Sequence, residues 1–135
     1  MSDKAPPIDS NLVKEMVAVA HGDLARVMEL LEQEPKLVNA AWDWGGGDWE
    51  TPLGAASHVG ARDIAEMLLA RGARLDLFAA AMLGKLAIVQ AALAIFPEAI
   101  HVPGPHGIPL VVHAEMGGEE ARPVLEYLQS FLTKR

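Results

Sequence analysis

The chain has 135 residues, 51% of them apolar and 21% charged, enough to build one domain around a sizeable core and too apolar for a disordered polymer. Eleven basic against eighteen acidic residues give a formal charge of −7, which argues against a duplex nucleic-acid binder working by phosphate neutralisation. No cysteine is present, so disulfides, thiol catalysis and cysteine-ligated zinc are excluded, and a reducing compartment, the cytoplasm, is expected.

Residues 1–10 are polar and carry two prolines, and read as a flexible N-terminal arm without the apolar core of a secretory signal. From residue 11 a pattern recurs. Glycines 22, 60, 84 and 117 each follow a short Ala-rich helical stretch and precede a longer amphipathic one, at spacings of 38, 24 and 33 residues. The stretches that end at these glycines are VKEMVAVAHG, TPLGAASHVG, LDLFAAAMLG and IPLVVHAEMG. Leu77 to Ile100 is apolar enough to suggest a membrane span, but Gly84-Lys85 interrupts it, and a central charge is costly in hydrocarbon. Two short buried helices are expected there instead.

The second unit is the most complete. In ETPLGAASHVGARDIAEMLLARGARLD, residues 50–76, Thr51 is a helix cap and Pro52 suits the first helical position. Gly60 closes the first helix, and Ile64, Ala65, Leu68 and Leu69 form the inner stripe of the second. This segment resembles an ankyrin repeat. The resemblance extends over about residues 11–132 and implies an all-α, ankyrin-type α-solenoid of four helix–turn–helix units, about 11–39, 50–76, 75–101 and 108–132, with short hairpin fingers. It departs from the family where Gly54 and Val111 stand in place of the histidine after T-P-L, and where Ile108 replaces the capping threonine. Pro123 places the start of the last helix near itself rather than at Glu119. Core positions include Leu24, Val27, Leu30, Leu31, Ile88, Val89 and Leu93.

The connections read as long, absent and ordinary. Thr51 stands twelve positions after Asn39, Asp76 leads at once into the third unit, and Ile108 stands seven positions after His101. A notch is therefore expected between the outer fingers, floored near Phe78. The long finger, AAWDWGGGDWE, holds all three tryptophans, with a glycine turn at 45–47. The rings either fold into the notch in place of the missing finger or form a recognition surface.

The resemblance implies a non-catalytic protein–protein interaction module, working through finger tips and the exposed ends of the first helices. The candidate contact residues are Trp42, Trp44, Trp49, His58, Val59, Met82, Leu83, His106 and Met116. The partner is a protein of unspecified identity, or a second copy through the apolar row Val59, Leu83 and Met116. No cofactor, nucleic acid or membrane is expected. No HExxH or H-x-H spacing marks a metal site, and none is expected. His58 and His113 fall in units two and four, with a third unit between them. The alternative is a small-molecule binder or a hydrolase- or isomerase-type enzyme using the notch, with His106, His113, Asp48 and Glu50 as polar groups and His106 facing it.

Overall fold

Capping side chains open the helices. In the computed structural model, which describes residues 4–133, Asp9 accepts a hydrogen bond from the Asn11 amide, Asp23 from Arg26, Thr51 from Gly54 and Asp76 from Ala79, at 2.8 to 3.1 Å. The helices they start are α1 (Ser10–Val19), α2 (Leu24–Gln33), α3 (Pro52–His58) and α5 (Leu77–Met82). The others are α4 (Arg62–Ala70), α6 (Leu86–Ile95), α7 (Leu110–Met116) and α8 (Arg122–Thr133). One two-stranded antiparallel hairpin completes the set, β1 (Trp42–Asp43) with β2 (Trp49–Glu50), pairing Trp42 with Glu50 and Asp43 with Trp49. Among the described residues the protein is all-α apart from that hairpin.

Consecutive helices pack in pairs: α1 with α2, α3 with α4, α5 with α6, α7 with α8. The first members adjoin in chain order, α1 to α3, α3 to α5 and α5 to α7. One contact skips a pair: α3 also touches α7, past the six-residue α5. The core falls into two apolar clusters. The first joins α1 to α4 with Leu37 and Met82; the second joins α5 to α8 around Val89, Leu93, Leu110, Val124 and Leu128. Asn39 links the first two pairs, its side-chain amide donating to the Gly72 carbonyl and its oxygen accepting from the Arg74 amide. Arg62 links the later ones, donating to the last carbonyls of α5 at Met82 and Leu83 and pairing with Glu120 at 3.1 Å.

The apolar run Leu77–Ile100 divides at Gly84-Lys85 into α5 and α6, and no helix of the described residues is long and apolar enough to cross a membrane. Several details differ from expectation. Of the expected N-terminal arm, Met1 to Asp3 lie outside the described residues, while Ile8 packs against the first cluster because its side chain is apolar. The 101–108 connection leaves the 3₁₀ turn Pro97–His101 and carries a second one at Pro105–Gly107 rather than a hairpin, since Pro103 and Pro105 within it remove ladder donors. Met82 and Leu83 are buried, which removes them from any contact surface: Met82 joins the first cluster beneath the neighbouring helices. Ile88 is 43% exposed, because α6, apolar but for Gln90, has only one covered side and leaves Ile88, Ile95 and Phe96 outside. The left-handed residue after α7 is Gly118, not Gly117.

Gly84 has φ +78, and a Cβ there would run into the Glu120 carbonyl; Gly72 has φ +98 with open space around it. Both positions disfavour L side chains, by roughly 1–2 kcal/mol. Gly84→Ala is therefore expected to lower the urea midpoint clearly more than Gly72→Ala. Equal losses would show that the close approach of the two backbones adds nothing.

Candidate functional site

The hairpin is shaped by its own aspartate. The Asp43 carboxylate accepts from the amides of Gly45 and Gly47, at 2.8 and 2.9 Å, and glycines 45–47 all take positive φ. This turn returns the chain so that Trp42, Trp44 and Glu50 meet. Trp42 is half-buried against the first cluster, with the Lys14 ammonium 6.0 Å from its ring centre. Trp44 sends its indole N–H to Glu50 Oε1 at 2.9 Å, and Trp49 is 61% exposed. The three rings thus divide between packing, polar support and display.

Glu50 is the unusual residue. It ends β2 just before the Thr51 cap, and its carboxylate is wholly buried. Three histidines from separate parts of the chain surround it. His21 lies just past α1, His58 ends α3, and His106 sits in the turn before α7 with φ +61, a conformation few non-glycine residues adopt. His58 Nε2 is 3.0 Å and His106 Nε2 3.2 Å from Glu50 Oε2, while His21 Nε2 is 3.3 Å from Oε1. His21 Nε2 and His58 Nε2 are 3.1 Å apart. All four side chains offer a donor atom within 4.8 Å of every other. Despite this crowd, Glu50 Oε2 has no hydrogen bond of acceptable geometry.

The opposite sides of two rings are pinned. His21 Nδ1 lies 3.0 Å from the Ala18 carbonyl, to which only an N–H can donate. His106 Nδ1 lies 2.6 Å from Asp48 Oδ2, and the His106 amide donates to Asp48 Oδ1 at 2.8 Å. Asp48 therefore joins the hairpin to the 101–108 connection directly.

Charge follows this geometry. Burial would raise the Glu50 carboxyl, but hydrogen bonds from His21 and Trp44 and the charge of His21 and His106 outweigh it and hold the group below its ordinary value. The hydrogen bond to Glu50 raises His21 above its ordinary 6.5 despite burial. Burial lowers His58, helped by the neighbouring rings and opposed by Glu50. Asp48 is lowered chiefly by the His106 amide.

Beside the cluster lies the notch, a groove of about 370 Å³. Trp49 and Asp48 of the hairpin form one wall, Pro103 and Pro105 the other, and Phe78 and Asp76 lie in the floor. His113 packs against Phe78, ring centres 4.7 Å apart and planes tilted by 45°, with Nδ1 donating to the Pro109 carbonyl and Nε2 buried without a partner.

Of the expected contact residues, His58 and His106 come together in the cluster, with Trp44 supporting it. Trp49 lines the notch, and Trp42 packs inward. Val59 is half-buried and Met116 is 45% exposed, at the ends of α3 and α7. His106 faces Glu50 and Asp48 rather than the floor of the notch. From the sequence, His21 is not among the candidates and Glu50 is grouped with His106 only in the small-molecule alternative; this convergence is not expected, since no two of the four residues share a metal-ligand spacing. The available signal was that His21 and His58 both end first helices, one and two residues before a repeat glycine. As for known proteins, no family model matches the chain, and no curated protein matches it.

The opposed shifts give a pH prediction for protein freed of metal with a chelator. In NMR titrations the His21 ring should titrate above 6.5 and His58 below it. His21 then adds stability that is complete below pH 6.5 and is lost as pH rises through its raised value, whereas His58 costs stability as pH falls below 6.5. Glu50→Gln should bring His21 back towards the ordinary value; an unchanged His21 midpoint would contradict the pairing.

Proposed function

We propose that the chain is a non-catalytic, ankyrin-type interaction module that works in the cytoplasm and receives a segment of a protein partner in the notch. The single observation that carries this reading is the notch itself, an open aromatic and proline-walled groove in which Trp49 remains 61% exposed. Exposed aromatic rings lining a groove are frequent at peptide-binding surfaces. The ankyrin-type arrangement is supported by the four successive helix pairs, by the Thr51-Pro52 start of α3 and by the left-handed glycines 60 and 84.

The occupant is a basic segment, an Arg or Lys side chain with neighbouring apolar residues. Asp48 and Asp76 place two carboxylates on the notch, and the whole chain carries −7. A guanidinium or ammonium can lie over the exposed indole of Trp49 while its stem covers Phe78. Catalysis is not part of the reading, because His106, Asp48 and Glu50 are engaged with one another, and the two notch carboxylates act on the occupant by charge alone.

A peptide array probed with the purified chain tests it. Basic peptides with an adjacent apolar residue should be retained over their acidic counterparts, and Trp49→Ala should weaken them by about tenfold. Retention indifferent to peptide charge and to Trp49 would contradict the reading.

A further inference from the structure

We propose that His21, His58, His106 and Glu50 form a binding site for one divalent transition-metal ion of the zinc class, held by three imidazole Nε2 atoms and one carboxylate oxygen.

Distances come first. Zinc binds imidazole nitrogen and carboxylate oxygen at about 2.0–2.2 Å, so neighbouring ligands of a tetrahedral ion stand roughly 3.3 Å apart. His58 Nε2 and His106 Nε2 stand 3.0 and 3.2 Å from Glu50 Oε2, and His21 Nε2 and His58 Nε2 are 3.1 Å apart. With one donor atom of each residue within 4.8 Å of every other, modest side-chain movement closes the shell around one ion.

The direction of the lone pairs is the second argument. His21 Nδ1 faces the Ala18 carbonyl and His106 Nδ1 faces the Asp48 carboxylate, so both carry their proton on Nδ1 and, when neutral, turn an Nε2 lone pair inward. Those lone pairs meet a buried carboxylate whose Oε2 accepts no hydrogen bond. Electron-rich atoms converging on a buried carboxylate need positive charge among them, which protons on the imidazoles supply in the ion-free protein and one bound metal ion can supply in their place. One small ion bonded to every donor satisfies the arrangement at a stroke.

Outer contacts complete it. Ligating histidines commonly donate their other N–H to a carboxylate or backbone carbonyl, and ligating carboxylates are themselves hydrogen-bonded. Here Asp48 holds His106, Ala18 holds His21, and the Trp44 indole holds Glu50 Oε1, leaving Oε2 for the ion. Three nitrogens and a single carboxylate suit zinc, cobalt or nickel, and not calcium or magnesium, which take oxygen-rich shells.

The ligands come from α1, the hairpin, α3 and the turn before α7, which no local sequence contact joins. An ion here ties the hairpin and the 101–108 connection to both helices, and so fixes the two walls of the notch. The site does not depend on what the notch receives.

Untagged, full-length protein stripped with a chelator should take up one equivalent of Co(II), with the intense visible absorption of a tetrahedral ion, and Zn(II) should displace it. Zinc should also raise the melting temperature. His58→Ala and His106→Ala should abolish the stoichiometric uptake, whereas His101→Ala, an exposed histidine outside the cluster, should leave it intact. Asp48→Asn should weaken affinity by about 10–100-fold. Circular dichroism checks that each variant is folded. If a variant does not fold, long-range ¹H–¹⁵N spectra of the zinc-loaded wild type should still show metal-shifted Nε2 signals on His21, His58 and His106 alone. Absence of uptake by wild type, uptake that survives His58→Ala in folded protein, or metal shifts on other histidines would overturn the proposal.

Discussion

A carboxylate out of reach of water needs opposite charge or donors around it, and the interior of this protein holds one such group at Glu50. An uncompensated buried carboxylate would cost several kcal/mol or more. The compensation comes from Trp44 on the same hairpin and from three histidines belonging to three other parts of the chain. The hairpin, the ends of α1 and α3 and the left-handed turn at His106 all meet at that one group. Replacing any partner leaves the others facing an unpaired charge.

The irregular connections make the encounter feasible. No finger stands between Gly72 and Asp76, so the hairpin and the 101–108 connection meet across the gap through Asp48 and His106. The short α5 lets α3 lie against α7, which brings His58 within reach of the turn that carries His106. A regular stack with a full finger in each unit would hold these groups apart. The departures from regular spacing are therefore where the polar chemistry collects.

Much of the scaffold is legible in the sequence, because caps and breakers act locally. Thr51-Pro52 starts a helix where expected, Gly60 and Gly84 supply the left-handed turns, and Asp76 leads straight into α5. The notch over Phe78 follows from comparing connection lengths. The cluster is not legible in the same way. Its members stand at positions 21, 50, 58 and 106, and their meeting depends on helix packing rather than on spacing along the chain. Burial is misread for a related reason: Met82 and Leu83 stand just before Gly84, where the ankyrin resemblance implies exposure, yet neighbouring helices cover them, while Ile88 lies on a helix whose single polar residue, Gln90, gives little signal of the exposed side. The tryptophans illustrate both limits, since one packs inward, one supports Glu50 and one lines the notch.

The central claim is that Glu50 and its three histidines act as one centre. Crystals of the chain grown with zinc, with anomalous data collected on both sides of the zinc absorption edge, test it most directly. A single strong peak at about 2.0–2.2 Å from Nε2 of His21, His58 and His106 and from a Glu50 carboxylate oxygen is the predicted result. Four side chains in their present places with no peak among them, or a peak held by other residues, would contradict it.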